Sequence, residues 1–248
     1  MRGYRDDSYG DAFADVYDDW YADLDDVPTV VGELARLARS AGDGPVLELG
    51  VGTGRLAAPL AAEGFEVHGV DSSAAMIDRI AQKPSGSSVR ATVGDMVDTL
   101  PPGPFALVFV AYNTLFNLRS GDRQQRCFHE VARRLTPGGL FVVEAFVPDP
   151  EHDPASSVGV RSMSADHVVL SVSTARPGEQ VAEGQFVEFT EAGGVRLRPW
   201  SIRWSTVAQL DAMATQAGFE LAERWGGFDR APFAAESARH VTVYRRLG

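Results

Sequence analysis

The chain has 248 residues, 44% of them apolar and 23% charged, the balance of a globular protein large enough to bury its own core. Its 34 acids outnumber 23 bases, and the net charge of −11 repels a phosphate backbone, so nucleic acid is not the expected partner. A single cysteine, Cys127, excludes an internal disulfide and the small stapled secreted scaffolds, and sets the expectation of a cytoplasmic protein.

Residues 1–26 are acidic and rich in tyrosine, without the apolar run of a leader peptide. Apolar positions at Val27, Val30, Val31, Leu34, Leu37 and Ala38 predict a helix ending before Gly42. Strand and helix patterns then alternate: strand Val46–Leu49, helix Arg55–Glu63, strand Phe65–Val70, and a helix from the Ser72 or Ser73 cap to Lys83. A third strand, Val89–Val93, follows a loop. The fourth, Phe105–Ala111, is apolar enough to be buried on both faces, and its run is too short to span a bilayer. A helix over 122–135, a turn at Thr136–Gly139 and a fifth strand, Leu140–Phe146, complete the alternation.

From 148 to 154 the chain reads as a polar loop, and 166–175, 181–190 and 194–204 as three short antiparallel strands. A helix over Val207–Ala217 and strands Phe219–Trp225 and His240–Arg246 follow. The sequence thus predicts a doubly wound, mostly parallel, seven-stranded α/β sheet with a small antiparallel platform inserted after the fifth strand. Its divisions are an N-terminal segment (1–26), a core (27–147), the platform (148–204) and a C-terminal completion (205–248).

The sharpest motif is Val46-Leu-Glu-Leu-Gly-Val-Gly-Thr-Gly-Arg55, three glycines between a buried strand and a helix. Glycine lets the backbone turn tightly and approach a ligand. A dinucleotide loop places its third glycine at position 55; here Gly50, Gly52 and Gly54 form G-x-G-x-G, and no lysine makes a phosphate loop. Asp71 ends the second strand about twenty residues on, the spacing of a ribose-binding acid. Asp95 ends the third, where it can accept a proton from the exocyclic amine of a base. Helix or loop capping is the plain alternative for either aspartate alone.

VLELGVGTGR, HGVDSS, VGDM and LTPGG resemble the motifs of class I S-adenosylmethionine-dependent methyltransferases over residues 27–147. The resemblance implies that S-adenosylmethionine is the cofactor, with Gly50 and Gly52 against its methionine part and Asp71 on the ribose. It further implies that Asp95 contacts the adenine, that Ser72 and Met96 flank the base, and that Glu48 orders the loop or a water near the amino acid part. FADVYDDWY is similar to the start of small-molecule methyltransferases acting on amines, amino-sugar N-methyltransferases among them, which makes residues 1–26 a lid. In those relatives an N-terminal tyrosine approaches the sulfonium or the acceptor; Tyr17 and Tyr21 match, and at four residues apart they share a helix face.

Acceptor contacts are expected from the loop after the fourth strand, with Tyr112 and Phe116 as an apolar wall and Asn113 and Asn117 as hydrogen-bonding groups, and from His167, Trp200 and Arg203 on the platform. Alternation puts Trp200 and Trp204 on one face and Arg203 on the other, and an indole there can equally be core or a homodimer contact. Tyr21 and Asn113 are the expected catalytic pair, orienting a neutral amine. A hydroxyl or enol acceptor needs a general base, for which His167 and Glu144 are the nearest candidates. The five histidines show no metal-ligand spacing, and no metal is expected. The reading is a methyltransferase acting on a small molecule, through nitrogen or alternatively through oxygen or carbon; a non-catalytic cofactor-binding relative and an NAD-dependent oxidoreductase stand as alternatives from other classes.

Overall fold

The structure, a computed structural model, describes residues 1–22, 26–149 and 155–248; the part of the expected 148–154 loop beyond Asp149 lies outside the described residues. Five strands run parallel: β1 (Val46–Leu49), β2 (Val67–Asp71), β3 (Arg90–Val93), β4 (Phe105–Val110) and β5 (Leu135–Phe146). Near the C-terminus, β10 (Phe219–Trp225) and β11 (Arg239–Arg246) add an antiparallel edge, giving the order β10-β11-β5-β4-β1-β2-β3. The order reverses beside β1, so the crevice between the carboxyl ends of β1 and β4 is where a doubly wound sheet takes its ligand.

Alternate residues of the central strands feed two cores. Val46, Leu107, Phe109 and Val142 pack under α3 (Val27–Ser40) and α4 (Ala57–Ala62). Leu47, Val108, Val110 and Phe141 pack under α6 (Gly121–Ala132) and α7 (Val207–Gln216). Ser120 caps α6 through Arg123 N, and Thr206 with Gln209 forms a reciprocal capping box on α7.

Three expectations are corrected. The platform has four strands rather than three: β6 (Ser156–Met163), β7 (His167–Arg176), β8 (Val181–Thr190) and β9 (Val195–Arg203), paired as an antiparallel meander. β6 escapes a periodicity search because its residues are exposed throughout, with serine and glycine between its apolar positions. The expected turn at Thr136–Gly139 is drawn into β5 as an irregularity, where pairing with β4 jumps from Leu135 to Leu140. The helix expected to reach Lys83 is a single turn, α5 (Ala74–Ile77), capped at its start by Ser73, after which the chain tightens into 3-10 turns at 80–82 and 86–88.

The N-terminal segment forms two short helices, α1 (Ser8–Phe13) and α2 (Tyr17–Trp20), wedged between core and platform. Phe13 is fully buried and meets the rings of Trp20 and Phe186 edge-on. Arg198 of β9, 1% exposed, bonds to Asp15 and Glu188 and to the Ala12 carbonyl. Those bonds hold Asp15 below the usual carboxylate range. Arg161 of β6 donates to the Trp20 carbonyl and lies over the rings of Trp20, Tyr21 and Phe186.

Candidate active site

A cavity of about 350 Å³ opens at the carboxyl ends of β1, β2 and β3, within the range of about 300–1,000 Å³ for small-molecule sites. Its floor holds Gly50, Gly52, Asp71, Asp95 and Met96, and its roof is the N-terminal segment, through Asp6, Tyr9, Gly10 and Tyr17. A smaller space adjoins it, walled by Glu48, Arg55 and Tyr112. Tyr17, Gly50, Gly52 and Thr114 belong to both and mark their junction.

The glycine loop is built for close approach. Gly50, Gly52 and Gly54 have φ of 68°, 53° and 76°. A Cβ on Gly50 would lie 2.2 Å from the Thr114 methyl, whereas one on Gly52 would meet nothing within 4 Å and project into open space at the cavity wall. Gly54 faces away and packs against Ile80. Asp71 ties the loop to β2: its carboxylate accepts from Gly52 N and from Ser73 N, both at 2.9 Å. Burial pushes the Asp71 carboxyl up, and these two amides oppose the shift. Asp95 accepts from Val97 N at 2.7 Å and pairs with Arg123 at 2.7 Å, which fixes the carboxylate at the cavity edge.

The side space is electrostatically unfinished. Glu48 is 5% exposed; burial holds its carboxyl well above the usual range, against the opposing pull of Arg55 and the Ala57 amide. One Glu48 oxygen and the Nε and Nη2 of Arg55 are buried without a hydrogen-bond partner among the described residues. Arg55 stacks over the Tyr112 ring at 3.8 Å. Buried polar atoms are normally satisfied, and a zwitterionic amino acid group, with one ammonium and one carboxylate, supplies what both lack. The two joined spaces therefore fit a nucleoside carrying an amino acid tail, and the residues present fit S-adenosylmethionine.

Several side chains tie the roof down. Ser73 donates to Asp11 at 2.6 Å, Thr53 to Asp18 at 2.7 Å, and Ser72 to the Asp6 carbonyl at 2.9 Å; Lys83 pairs with Asp18 and Arg119 with Asp6. Burial pushes the Tyr17 and Tyr9 phenols up, so both stay protonated.

Of the residues expected from sequence, Tyr17, Gly50, Gly52, Asp71, Ser72, Asp95, Met96 and Asn117 line the main cavity, and Glu48 and Tyr112 the side space. Others are placed elsewhere. The Tyr21 hydroxyl meets that of Tyr9 at 3.3 Å, and its ring packs on Tyr17 behind the cavity wall. Asn113 sits at φ +62° and accepts from Phe146 N at 2.6 Å, so it shapes the turn. Phe116 is fully buried against Phe146. His167 pairs with Glu188 on the platform, Trp200 lies across Gly184, and Arg203 is spent on Gln124, Gln180 and Ser205. Glu144 accepts from the Tyr112 amide instead of facing the cavity. Tyr9, Gly10, Thr114 and Arg123 line the cavity without having been singled out from sequence. The only signal for Tyr9 and Gly10 was their place in the tyrosine-rich segment; Thr114 and Arg123 became visible when the loop after β4 and α6 were placed beside β1 and β3.

A family model described as a methyltransferase domain matches residues 46–139. The chain is 39% identical to the CcbJ methyltransferase from Streptomyces caelestis, covering 99% of this chain and 100% of that one, with a TM-score of 0.90. It is 29% identical over 208 residues to the cypemycin N-terminal methyltransferase of a Streptomyces species, 81% of this chain and 82% of that protein. The sugar N-methyltransferase KedS8 from a Streptoalloteichus species shares the fold at 21% identity, with a TM-score of 0.73 over 100% of this chain and 99% of that one.

Proposed function

Because the chain belongs to the S-adenosylmethionine-dependent methyltransferases, we propose that it methylates the amino nitrogen of a small molecule, an amino sugar or a related metabolite. The class follows from the matching family model and the full-length relative, and the cofactor from that family together with the structural neighbours that hold S-adenosylmethionine. A small-molecule acceptor, a cytoplasmic setting and a homodimer are part of the same proposal.

S-adenosylmethionine, when bound, supplies an electrophilic methyl on a sulfonium; the protein has to hold, orient and exclude water. Asp71 and the Gly52 amide would hold the ribose side, Asp95 the adenine edge, and Glu48 with Arg55 the amino acid tail. The observation that carries the nitrogen assignment is the junction itself. Tyr17 places a half-buried, protonated phenol there, and neither His167 nor Glu144, the two general-base candidates, lines the cavity. A phenol can accept from an amine N–H and so direct the nitrogen lone pair. Orientation of this kind supplies several kcal/mol of barrier reduction. A neutral amine already carries its lone pair and needs no base, whereas a hydroxyl acceptor does. The name of the cypemycin relative, which specifies a terminal nitrogen, and that of the sugar N-methyltransferase sharing the fold support the same atom.

Paired acceptors test this directly. Amino sugars and their hydroxyl counterparts, incubated with the protein and S-adenosylmethionine, are read by mass spectrometry for added methyl. Methylation confined to the amino member of each pair is expected, with a rate that climbs as pH passes the acceptor's own pKa. Methylation of the hydroxyl member, or none across the panel, contradicts it.

A further inference from the structure

Where β4 leaves the sheet, two residues in succession take a backbone conformation that side chains rarely adopt. Tyr112 and Asn113 have φ of 54° and 62°. Asparagine tolerates that region; a bulky aromatic persists there only when its surroundings hold it, because its Cβ crowds the backbone. The holding group comes from the neighbouring strand. Glu144 lies one residue past Val143, which pairs with Val110 at the end of β4. Its carboxylate accepts from the Tyr112 amide at 3.0 Å, and its carbonyl from the Asn113 amide at 3.3 Å. Glu144 is 5% exposed, so this carboxylate is an interior acceptor and not a solvated surface charge. Arg239 of β11 stands 3.8 Å from its other oxygen. The turn decides what the side space contains. It carries the Tyr112 ring to the wall, where the Arg55 guanidinium lies over it. A stacked guanidinium takes its plane from the ring, so Tyr112 sets where the unpartnered Nε and Nη2 donors of Arg55 point. A Tyr112 relaxed to negative φ would send the chain out of β4 in another direction and take that ring away.

We propose that Glu144 is a positioning residue for the cofactor's amino acid tail, acting through the Tyr112 turn on the Arg55 guanidinium. The proposal rests on the reading that the side space takes that tail. Glu144 itself lines neither space and touches no part of the cofactor. Its task is to supply an acceptor where the departing strand offers none. An ionised carboxylate only accepts, and its bond to an N–H is stronger than one between neutral groups, which suits it to hold a strained amide. The adenosine half of the cofactor, on Asp71 and Asp95, meets none of these groups. Loss of the Glu144 bond is therefore felt by the tail and not by the nucleoside, whereas general loosening of the fold weakens both.

Calorimetric titration with two ligands tests it: S-adenosylhomocysteine, and 5′-methylthioadenosine, which keeps the adenosine and the sulfur and lacks the amino acid. Glu144→Met removes the acceptor. It is expected to weaken S-adenosylhomocysteine binding by about tenfold or more and methylthioadenosine binding by less than about threefold, as loss of a hydrogen bond to a charged group does when felt at one end of a ligand. Glu144→Gln keeps an oxygen for the Tyr112 amide and is expected to hold the native ratio of the two affinities. Arg55→Met tests the underlying reading and is expected to lose that ratio. A ratio lost in Arg55→Met but native in Glu144→Met, or equal weakening of both ligands in Glu144→Met, overturns the proposal. A native ratio in Arg55→Met overturns the reading of the side space, and the proposal with it. If Glu144→Met does not fold, Glu144→Asp decides instead: its carboxylate falls one methylene short of the amide, and a native ratio there overturns the assignment.

Discussion

At the scale of single residues, positioning of the acceptor depends on which tyrosine faces the junction. Spacing put Tyr17 and Tyr21 on one helix face, and their ring centroids do lie 4.8 Å apart. Sequence could not say which ring looks into the cavity, because α2 is one turn long and its direction is set by Phe13 and Trp20 packing on the platform. Tyr17 is at the wall, and Tyr21 stands behind it with its hydroxyl on Tyr9. Tyr17→Phe is expected to lower kcat by about a hundredfold, the loss typical of a mispositioned reactant, while calorimetric affinity for S-adenosylhomocysteine changes by less than about threefold. Tyr21→Phe, which removes only a hydroxyl outside the cavity, should have a smaller effect on kcat. Equal losses in both variants would contradict the assignment. Asp71, Asp95 and the glycines were legible because their spacing from strand ends is a local property. Asn113, Phe116 and Arg203 were not, since their partners Phe146, Gln124 and Gln180 are distant in sequence.

At the scale of elements, the N-terminal segment roofs the cavity and is tied to the platform. Arg198 joins β9 to that segment through Asp15 and the Ala12 carbonyl, and to β8 through Glu188. Removing Arg198 takes the guanidinium from the half-buried Glu188 carboxylate, while Asp15, more than a third exposed, keeps Arg196 and water. Because Asp15 and Ala12 belong to the N-terminal segment, the loss falls on how that segment docks over the cavity. Arg198→Met is expected to raise amide hydrogen exchange over residues 8–21 and to speed S-adenosylhomocysteine release by at least tenfold, with exchange in β1 and β4 unchanged. Native protection of residues 8–21 in the variant would show that Arg198 does not hold them. The central parallel strands β1 and β4, buried at every position, were readable from their near-continuous hydrophobicity. β6 was not, because an exposed edge strand carries no inward-facing pattern, and the β5 irregularity was not, because a Thr-Pro-Gly-Gly run reads as a turn when its pairing with β4 is unknown.

At the scale of the whole molecule, stability should depend on pH through a histidine remote from the cavity. His240 of β11 is 1% exposed, bonded to Thr242 at 2.8 Å, and burial, aided by Arg224, lowers its pKa from 6.5 to about 4. The unfolded chain therefore binds a proton between pH 6.5 and 4 that the folded chain refuses. This contribution is complete above pH 6.5 and is lost as pH falls towards 4, by an amount on the order of 3 kcal/mol. Urea unfolding at pH 7 and pH 4.5 is expected to show a smaller drop for His240→Asn than for the native chain; an equal drop would place the acid sensitivity elsewhere.

The two spaces joined at Tyr17 are where cofactor and acceptor would meet, and a structure with S-adenosylhomocysteine bound tests this most directly. The ribose is expected against Asp71, the amino acid tail between Glu48 and Arg55, and the Tyr17 hydroxyl facing the sulfur. A ligand bound away from residues 50–54, or a tail that leaves Glu48 and Arg55 unsatisfied, would contradict it.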